Sequence, residues 1–454
     1  MEAEIELKLF FNEEQEKNLI NLLDSIANSE AKGSEKLTNG YFETAELTLR
    51  KWDMGLRVRG INSHREQTIK TAGQVVGGIH SRPEYNVDID HDFPKLNLFP
   101  NKIWPEGADL EQVQLQLCCL FNTDFVRQKW HIFVDDSLVE VALDIGEIRV
   151  DDRSEAICEL EFELLAGDTN ALLVLAGIVS RQIPVRLGKA SKAQRGYQLA
   201  AQASPFNLEV LDFIALKPEQ NLKQVAINLL EVGLDRWQQL EAMILDVALN
   251  PLELPMLCYR LRACIRLLRS TLSQFELLAH DFEEDFDCIE HRLSFIEESL
   301  SLFLIIEKQA TLIAKLPMRN ALVDIANAKL QQLDIPAQFE ALLNDICYGR
   351  LQVHLVELLM QVSSGVVAID KRMLEQQIDL REFADRLQEK SWQKILDVMP
   401  IDDDLSSSDY IAVAKALDNS MFVGVAYGEL YSHKSRDQFR APWQDLALGI
   451  RTLA

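Results

Sequence analysis

The chain has 454 residues, a formal net charge of −25 at pH 7 and a sequence pI near 4.8. That length exceeds one ordinary hydrophobic core and predicts two domains. The acidic balance argues against nucleic-acid binding through bulk charge, and no apolar run approaches the length of a membrane span, so neither nucleic acid nor a membrane is an expected partner. The N-terminal segment is acidic and does not resemble a secretory signal, which predicts a cytoplasmic protein.

Short segments of alternating polar and apolar residues predict strands in the first 200 residues. These segments are Glu4–Phe10, Leu56–Gly60, Gln67–Thr71, Tyr85–Asp90, Asp124–Phe133, Leu138–Asp144 and Cys158–Leu164. Helical patterns at Glu13–Asn28 and Thr169–Val179 lie between them. Many short strands with few helices are typical of an antiparallel sheet or barrel.

The first predicted strand alternates charged and aliphatic residues as Glu4-Ile5-Glu6-Leu7-Lys8. Because side chains alternate along a strand, Glu4, Glu6 and Lys8 share one face. Two carboxylates and an ammonium on one face can bind a divalent cation and contact the anion that it carries. The same alternation is also common in an amphipathic strand whose polar face lies in water.

Later strands repeat this pattern of one charged face. The charged residues are Arg57, Arg59, Lys70, Arg127, Lys129, Glu140, Asp144, Glu159, Glu161 and Glu163. If the strands close into a barrel with these faces inward, the lumen becomes a basic tunnel with an acidic patch, suited to a polyanion and a hard cation. If the faces point outward, they are ordinary solvated ion pairs. Periodicity alone leaves both interpretations open.

The second half of the chain changes to a helical period. From Pro218 onward, long amphipathic patterns predict an all-helical region. The patterns are Glu219–Leu249, Pro255–Leu278, Glu284–Ile313, Ala337–Val362, Asp379–Val398 and Asp409–Leu417. We therefore expect a first domain at 1–201, a linker at 202–217 and a helical domain at 218–454.

An ordered series of motifs in the first 200 residues resembles the CYTH, or triphosphate tunnel metalloenzyme, superfamily. The series begins with the ExExK pattern at Glu4–Lys8. It continues through Tyr41–Thr44, Leu56–Arg59, Thr68–Lys70, Arg82–Tyr85, Asp124–Arg127, Leu143–Glu147, Glu159–Leu164 and Lys189–Lys192. The series is most similar to bacterial inorganic triphosphatases in which a CYTH domain precedes a CHAD domain.

That resemblance implies a fold and a set of site residues. The fold would be an α+β N-terminal domain with an eight-stranded antiparallel β-tunnel, followed by an all-α helical bundle. The expected catalytic residues are Glu4, Glu6, Lys8 and Asp144. The expected phosphate-binding residues are Lys8, Arg57, Arg59, Lys70, Arg82, Arg127, Lys129, Arg186, Lys189 and Lys192. The expected metal ligands are Glu4, Glu6, Asp144, Glu161 and Glu163, and which two of Glu159, Glu161 and Glu163 bind metal depends on the strand register.

The implied activity is hydrolysis of inorganic triphosphate to pyrophosphate and phosphate with Mg²⁺ or Mn²⁺. Catalysis would come mostly from positioning and charge stabilisation, with a carboxylate orienting the attacking water. The alternatives are a non-catalytic protein that binds polyphosphate or nucleotide, and a thiamine triphosphatase or adenylate cyclase of the same superfamily. No adenine or thiamine pocket is evident in the sequence.

The helical region carries a basic stripe at Arg262, Arg266 and Arg269, whose spacing places all three on one helix face. The stripe could bind phosphate or could pair with acidic neighbouring helices. It resembles the basic first motif of CHAD domains, which bind polyphosphate, so polyphosphate is a second expected partner. Tyr259 and Leu267 replace the His and a basic residue of that motif, so no binding residues are assigned there.

Overall fold

The computed structural model describes residues 4–61, 64–76, 79–200, 214–246, 251–312, 318–369, 378–399 and 406–436. Its contacts divide the chain into two compact units. The tunnel unit contains residues 1–205 together with 343–357, and the helical unit contains residues 206–342 and 358–454. Most of the predicted linker at 202–217 lies outside the described residues, so the predicted domain boundaries stay a prediction.

The tunnel unit is built on a single antiparallel sheet. Its strands are β1 (Glu4–Phe11), β2 (Ser29–Glu43), β3 (Gly55–Ile61), β4 (His64–Lys70), β5 (Gln74–Val76), β6 (Ile79–Arg82), β7 (Glu84–Asp88), β8 (Cys118–Val134), β9 (Ser137–Val150), β10 (Arg153–Ala166) and β11 (Val185–Leu187). Its helices are α1 (Glu16–Ser25), α2 (Thr48–Lys51), α3 (Leu110–Gln116), α4 (Asn170–Ser180) and α5 (Lys192–Leu199).

The sheet curls into a nearly closed ring. Neighbouring strands follow the order β6, β1, β10, β9, β8, β2, β3, β4, β7, and each of these pairs is antiparallel. Only Pro83 separates β6 from β7, so the chain itself joins the two ends of this path. The expected antiparallel tunnel is confirmed. Its ring has nine strands because proline, which lacks an N–H group, divides one of the eight expected strands.

The strand register decides which side chains face inward. Lys8 lies opposite Glu161, and Glu6 lies opposite Glu163, which in turn lies opposite Glu140. Residues directly opposite each other share a face of the sheet. On the other face, apolar residues such as Leu7 and Leu9 are fully buried, and α4 packs against β1, β9 and β10. The charged faces therefore point into the ring because the apolar faces are buried beneath helices.

One end of the ring interior is apolar. Phe125 and Ile148, which are on the inner faces of β8 and β9, belong to a buried cluster that α5 completes with Tyr197. Phe121 stacks on Tyr41 with ring centroids 4.6 Å apart and meets the Tyr197 ring edge-on at 5.3 Å. The charged part of the interior therefore begins beyond this cluster and extends toward Glu4.

The described part of the helical unit contains helices and no strand, in agreement with the prediction. The helices that follow α5 in the chain are α6 (Leu222–Ile244), α7 (Leu254–Gln274), α8 (His280–Arg292), α9 (Phe295–Leu312), α10 (Arg319–Gln332), α11 (Ile335–Leu343), α12 (Ile346–Ser364), α13 (Leu380–Val398) and α14 (Ser407–Tyr427). The first part of α12 belongs to the tunnel unit. Within the described ranges, every helix is too short or too polar to cross a lipid bilayer.

Candidate functional site

The deepest charged layer of the tunnel joins Asp144 on β9 to cations from β8 and α5. Arg127 Nε and Nη2 donate to the two oxygens of Asp144 at 2.7 and 2.6 Å, which is the bidentate geometry of a guanidinium–carboxylate pair. Lys192 Nζ lies 2.7 Å from Asp144 Oδ2. Although burial opposes ionisation, Arg127 and Lys192 hold the pKa of Asp144 below its usual range. Asp144 is therefore an ionised, fully buried anchor for two cations.

Two glutamates of β10 complete this layer. Lys192 Nζ donates to Glu159 at 2.6 Å and to Glu161 at 3.0 Å. Arg127 Nη2 also donates to Glu161, at 2.5 Å. Burial opposes the ionisation of Glu161, but Lys192, Lys8 and Arg127 hold its pKa well below the usual value. The layer is thus a dense, internally neutralised network.

Lys8 links this layer to the next row toward the mouth. Its ammonium lies 3.1 Å from Glu161 and 3.8 Å from Glu6, and its side chain is almost completely buried. Burial alone would lower the pKa of Lys8, but Glu6 and Glu161 raise it above the ordinary value. Lys8 is therefore a fixed positive charge between two carboxylates of the tunnel wall.

A second network lies where β1, β4 and β7 meet. Lys70 Nζ pairs with Glu4 and lies 3.0 Å from Glu84, and Arg57 Nη2 donates to Glu84 at 3.1 Å. Burial raises the pKa of Glu4 to about 7. Burial also opposes ionisation of Glu84, but Lys70 and Arg57 hold its pKa at about 2. Sequence reasoning missed Glu84, although it lies in the quoted segment Arg82–Tyr85 and follows the proline that bends the strand.

Arg59 is partly buried and differs from the other tunnel cations because no carboxylate of the described residues lies within ion-pair distance of it. Its Nε donates to the amide oxygen of Asn39 at 2.9 Å. Burial, Arg57 and Arg127 all lower its pKa, although a guanidinium keeps its charge at neutral pH. The buried Nε atoms of Arg57 and Arg82 also have no hydrogen-bond partner among the described residues. The tunnel therefore holds donors and positive charge that an anion would satisfy.

Three further predicted basic residues lie on β8, on β11 and in the segment that follows β11. Lys129 and His131 both pair with Glu140, at 3.1 and 3.2 Å, on the wall made by β8 and β9. Arg186 places its guanidinium 4.9 Å from the centroid of the Phe10 ring. Lys189 lies in the segment between β11 and α5.

Arg195 on α5 is a second residue that sequence reasoning missed. Its Nη1 donates to Glu159 at 2.5 Å and its Nε donates to Glu155 at 2.6 Å. The side chain of Ser191 caps α5 by accepting from the backbone N–H of Gln194, which fixes the first turn that carries Lys192. The sequence signal for Arg195 was its position three residues after the motif segment Lys189–Lys192. Glu159, held by Arg195 and Lys192, is the most enclosed of the three β10 glutamates.

The carboxylates of the tunnel have the chemistry that a hard divalent cation requires. Oxygen atoms of Asp144, Glu159 and Glu161 lie within 4.8 Å of one another, and oxygen ligands suit Mg²⁺ and Mn²⁺. These three are already neutralised by Lys192 and Arg127. Glu163, by contrast, has its pKa raised by burial, by Glu140 and by Glu6. A cation would relieve that repulsion, so the donor set fits a metal ion.

Comparison with known proteins gives a match to a family model over the tunnel. Residues 2–197 match the family model of the CYTH domain. A curated relative from Haemophilus influenzae, named inorganic triphosphatase, is 35% identical over 166 residues, which are 37% of this chain and 46% of that relative. The chain thus spans just under half the length of that relative.

Solved structures give two further similarities. HpAC1 from Hippeastrum, described with a dominant triphosphatase activity, has 18% identity and a TM-score of 0.33, covering 44% of this chain and 98% of that one. The CHAD domain of the plant Ricinus communis has 17% identity and a TM-score of 0.39, covering 54% of this chain and 78% of that one.

Proposed function

Because residues 2–197 match the family model of the CYTH domain, we propose that this chain hydrolyses inorganic triphosphate to pyrophosphate and phosphate inside the tunnel. The observation that carries the proposal is Arg59, a partly buried guanidinium beside Arg57 and Arg127 with no described carboxylate partner. A cation left unpaired in a buried site is costly unless a ligand supplies the opposite charge. The polyphosphate chain supplies that charge, in a form that guanidinium forks recognise.

The basic residues divide into two roles. Arg57, Arg59 and Lys70 contact the phosphoryl oxygens directly, as does Arg82 through the donor that is left unused in the free protein. Arg127, Lys192 and Lys8 are more tightly bound to carboxylates, so they hold the wall in place and contribute positive potential. Preorganised charge of this kind stabilises a phosphoryl-transfer transition state without reorganisation during the reaction.

The acidic residues also divide into two roles. Asp144 accepts from Arg127 with both oxygens and from Lys192, so it positions these cations. Glu4, Glu6 and Glu163 are less fully neutralised and are the first candidates to hold Mg²⁺ or Mn²⁺, with Glu161 and Asp144 behind them. A bound divalent cation would neutralise phosphoryl oxygens and the leaving group. The wall carboxylates orient a water molecule for in-line attack on a terminal phosphorus.

The experiment is phosphate release by the full chain with tripolyphosphate, in Mg²⁺ or Mn²⁺. Thiamine triphosphate, ATP and long-chain polyphosphate are assayed in parallel. We expect the highest kcat/KM with tripolyphosphate. Tight binding of tripolyphosphate, with no phosphate released from any of these substrates, would indicate that the chain is a polyphosphate receptor and not an enzyme. A higher kcat/KM with thiamine triphosphate or ATP would move the substrate assignment within the superfamily.

The carboxylate roles are tested with Glu4→Gln combined with Glu6→Gln. We expect this variant to need a higher metal concentration for half-maximal rate, because amides are weaker ligands than carboxylates for hard cations. The matched control is Glu14→Gln combined with Glu111→Gln, since both residues are exposed and lie outside the sheet. An unchanged metal requirement in the Glu4/Glu6 variant would remove these two residues from the metal site.

A further inference from the structure

The side chain of Asn39 on β2 lies on the inner wall of the tunnel between two neighbouring strands. The register places Asn39 opposite Arg59 of β3 and opposite Thr123 of β8. Residues directly opposite each other share a face of the sheet, so these three share the face that carries Arg57 and Arg127. Asn39 and Thr123 are buried, whereas Arg59 is only partly buried. A buried amide is costly unless hydrogen bonds satisfy it.

The contacts of Asn39 fix which end of its amide faces Arg59. Its Nδ2 donates to the backbone carbonyl of Thr123 at 3.0 Å and to the Thr123 hydroxyl oxygen at 3.1 Å. Its Oδ1 accepts from Nε of Arg59 at 2.9 Å. A carbonyl oxygen can only accept and a guanidinium N–H can only donate, so the reverse orientation would set like groups against each other at both ends. The amide therefore keeps its oxygen toward Arg59.

This contact determines which edge of the Arg59 guanidinium is available to a ligand. A guanidinium can hold a phosphoryl group with Nε and one Nη atom, or with both Nη atoms. Because Nε already donates to Asn39, the first mode is closed. Neither Nη atom has a hydrogen-bond partner among the tunnel residues that the structure describes. The edge that carries both Nη atoms is therefore the one left for an anion.

Arg127 is held in a different way. Its Nε and Nη2 donate to Asp144, so a carboxylate fixes that guanidinium and also neutralises it. Asn39 gives Arg59 a hydrogen bond but no negative charge. Arg59 is thus held in place while its positive charge stays uncompensated.

We propose that Asn39, itself held by Thr123, is a positioning residue that directs the Nη pair of Arg59 toward a phosphoryl group and, being neutral, leaves the charge of Arg59 to that group. This inference rests on the proposed function, because the phosphoryl group is that of tripolyphosphate. An arginine that is already held loses less side-chain freedom when the ligand binds. Donors that are fixed before the reaction also stabilise the transition state without reorganisation.

The test is a double-mutant cycle between residues 39 and 59. Asn39→Leu removes the hydrogen bond to Arg59 and keeps a side chain of similar size. We expect it to lower kcat/KM for tripolyphosphate about tenfold, the scale of one hydrogen bond to a charged group. In protein that already carries Arg59→Met, the same change should alter kcat/KM by less than about twofold, because the residue that Asn39 positions is gone. Each protein is measured as kcat/KM with Mg²⁺ and as Kd for tripolyphosphate without metal.

Asn39→Asp tests the importance of a neutral side chain at this position. A carboxylate would pair with Arg59 and repel phosphate, so the metal-free Kd should rise at least about tenfold above that of Asn39→Leu. The matched control is Asn122→Asp, which adds the same charge at an exposed position on the other face of β8. This control should leave Kd unchanged.

Thr123→Val is a milder variant, since it removes one acceptor of Asn39 Nδ2 and retains the carbonyl. It takes the place of Asn39→Leu in the cycle if circular dichroism shows that Asn39→Leu does not fold. We expect it to lower kcat/KM about threefold, and Arg59→Met should again abolish the effect.

Equal losses in both backgrounds would make Asn39 a structural residue and would overturn the inference. So would an unchanged kcat/KM in the folded residue-39 variants, or a rise in Kd from Asn122→Asp as large as that from Asn39→Asp. None of these results touches the proposed function as long as the natural sequence hydrolyses tripolyphosphate. Binding without turnover would overturn only the activity, since the cycle in Kd still decides the role of Asn39. Absence of both binding and turnover would overturn both.

Discussion

The tunnel and the basic stripe of α7 are both rows of basic residues next to acidic ones, but they differ in whether the basic residues are fully paired. In the tunnel, neither a carboxylate partner for Arg59 nor a hydrogen-bond partner for the Nε of Arg57 is found among the described residues. On α7, Arg262, Arg266 and Arg269 each have a carboxylate partner, and Glu297 and Asp287 are more exposed than the arginines that they contact. We therefore expect a basic cluster to bind anions where internal carboxylates leave part of it unsatisfied.

The largest expected effect is on catalysis. Arg59→Gln removes the unpaired guanidinium, and we expect kcat/KM for tripolyphosphate to fall by about 10²–10³-fold, the cost of losing one preorganised transition-state donor. Arg149→Gln is the control, because Arg149 is exposed on the same barrel and pairs with Asp124. Steady-state kinetics measure both variants. If Arg59→Gln kept the rate of the natural sequence, the unpaired guanidinium would not define the site.

The second prediction compares one cation from each unit. Lys192→Met leaves Asp144, Glu159 and Glu161 short of a buried partner, so the free energy of unfolding should fall by about 3 kcal/mol. Arg266→Met removes a partner from carboxylates that water still reaches, and should cost about 1 kcal/mol. Urea titrations measure both losses. Equal losses would contradict the distinction between buried and solvent-facing networks.

The pH dependence of the Lys192→Met effect follows from the lowered pKa values of Asp144 and Glu161. A carboxyl whose pKa is lower in the folded state than in the unfolded state stabilises the protein above its unfolded pKa. That stability is lost as the pH falls through the folded pKa. The difference between the natural sequence and Lys192→Met should therefore be full at pH 7 and shrink in acid, as acid unfolding curves would show.

The third prediction is a gain in stability. The pKa of Arg59 is lowered because burial and two neighbouring guanidiniums disfavour its charge, so the charge destabilises the free tunnel. Arg59→Gln should raise the free energy of unfolding by about 1 kcal/mol without ligand. Saturating tripolyphosphate without metal should reverse the order, because it stabilises only the protein that binds it. If Arg59→Gln lowered the free energy of unfolding, the packing of the guanidinium would stabilise the protein by more than its charge destabilises it.

The smallest effect is expected at the exposed end of the α7 stripe. Arg269 and Asp287 form a solvent-accessible pair, and such pairs contribute little to stability. Arg269→Gln should change the free energy of unfolding by about 0.5 kcal/mol or less. Thermal unfolding with and without added salt measures it. A larger loss would place Arg269 in the core-like part of the network, together with Arg262.

The inward-facing charges could be predicted because alternation and motif order are local properties of the sequence. The strand β2 could not be predicted in the same way, since its first half is polar, exposed and interrupted by Gly33. Its pairing with β8 gives it strand structure. The predicted helix Glu284–Ile313 is instead α8 and α9, because a turn at Leu293 and Ser294 separates two amphipathic segments.

The candidate site could be predicted at the level of residue type and less well at the level of pairing. Glu84 lies within a segment that the motif series singled out and Arg195 lies just after another, but only three-dimensional contacts reveal their partners. The α7 stripe shows the reverse case. Its spacing is evident in the sequence, yet the carboxylates that occupy it come from α8, α9 and α14. In the tunnel and on α7 alike, the paired residues are far apart in the sequence, so the sequence alone does not reveal which of them pair.

The helix α12 gives the chain an order of assembly during synthesis. Its first part completes the tunnel unit, where Gln352 accepts from the backbone N–H of Leu187 at 2.8 Å and Gly349 approaches the carbonyl of Val185 too closely for any side chain. A nascent chain that has reached residue 205 therefore still lacks a segment of its first unit. N-terminal domains commonly fold while the ribosome is still translating. Here, the segment that packs against the edge strand β11 is available only after more than a hundred further residues, through Glu357, have been synthesised.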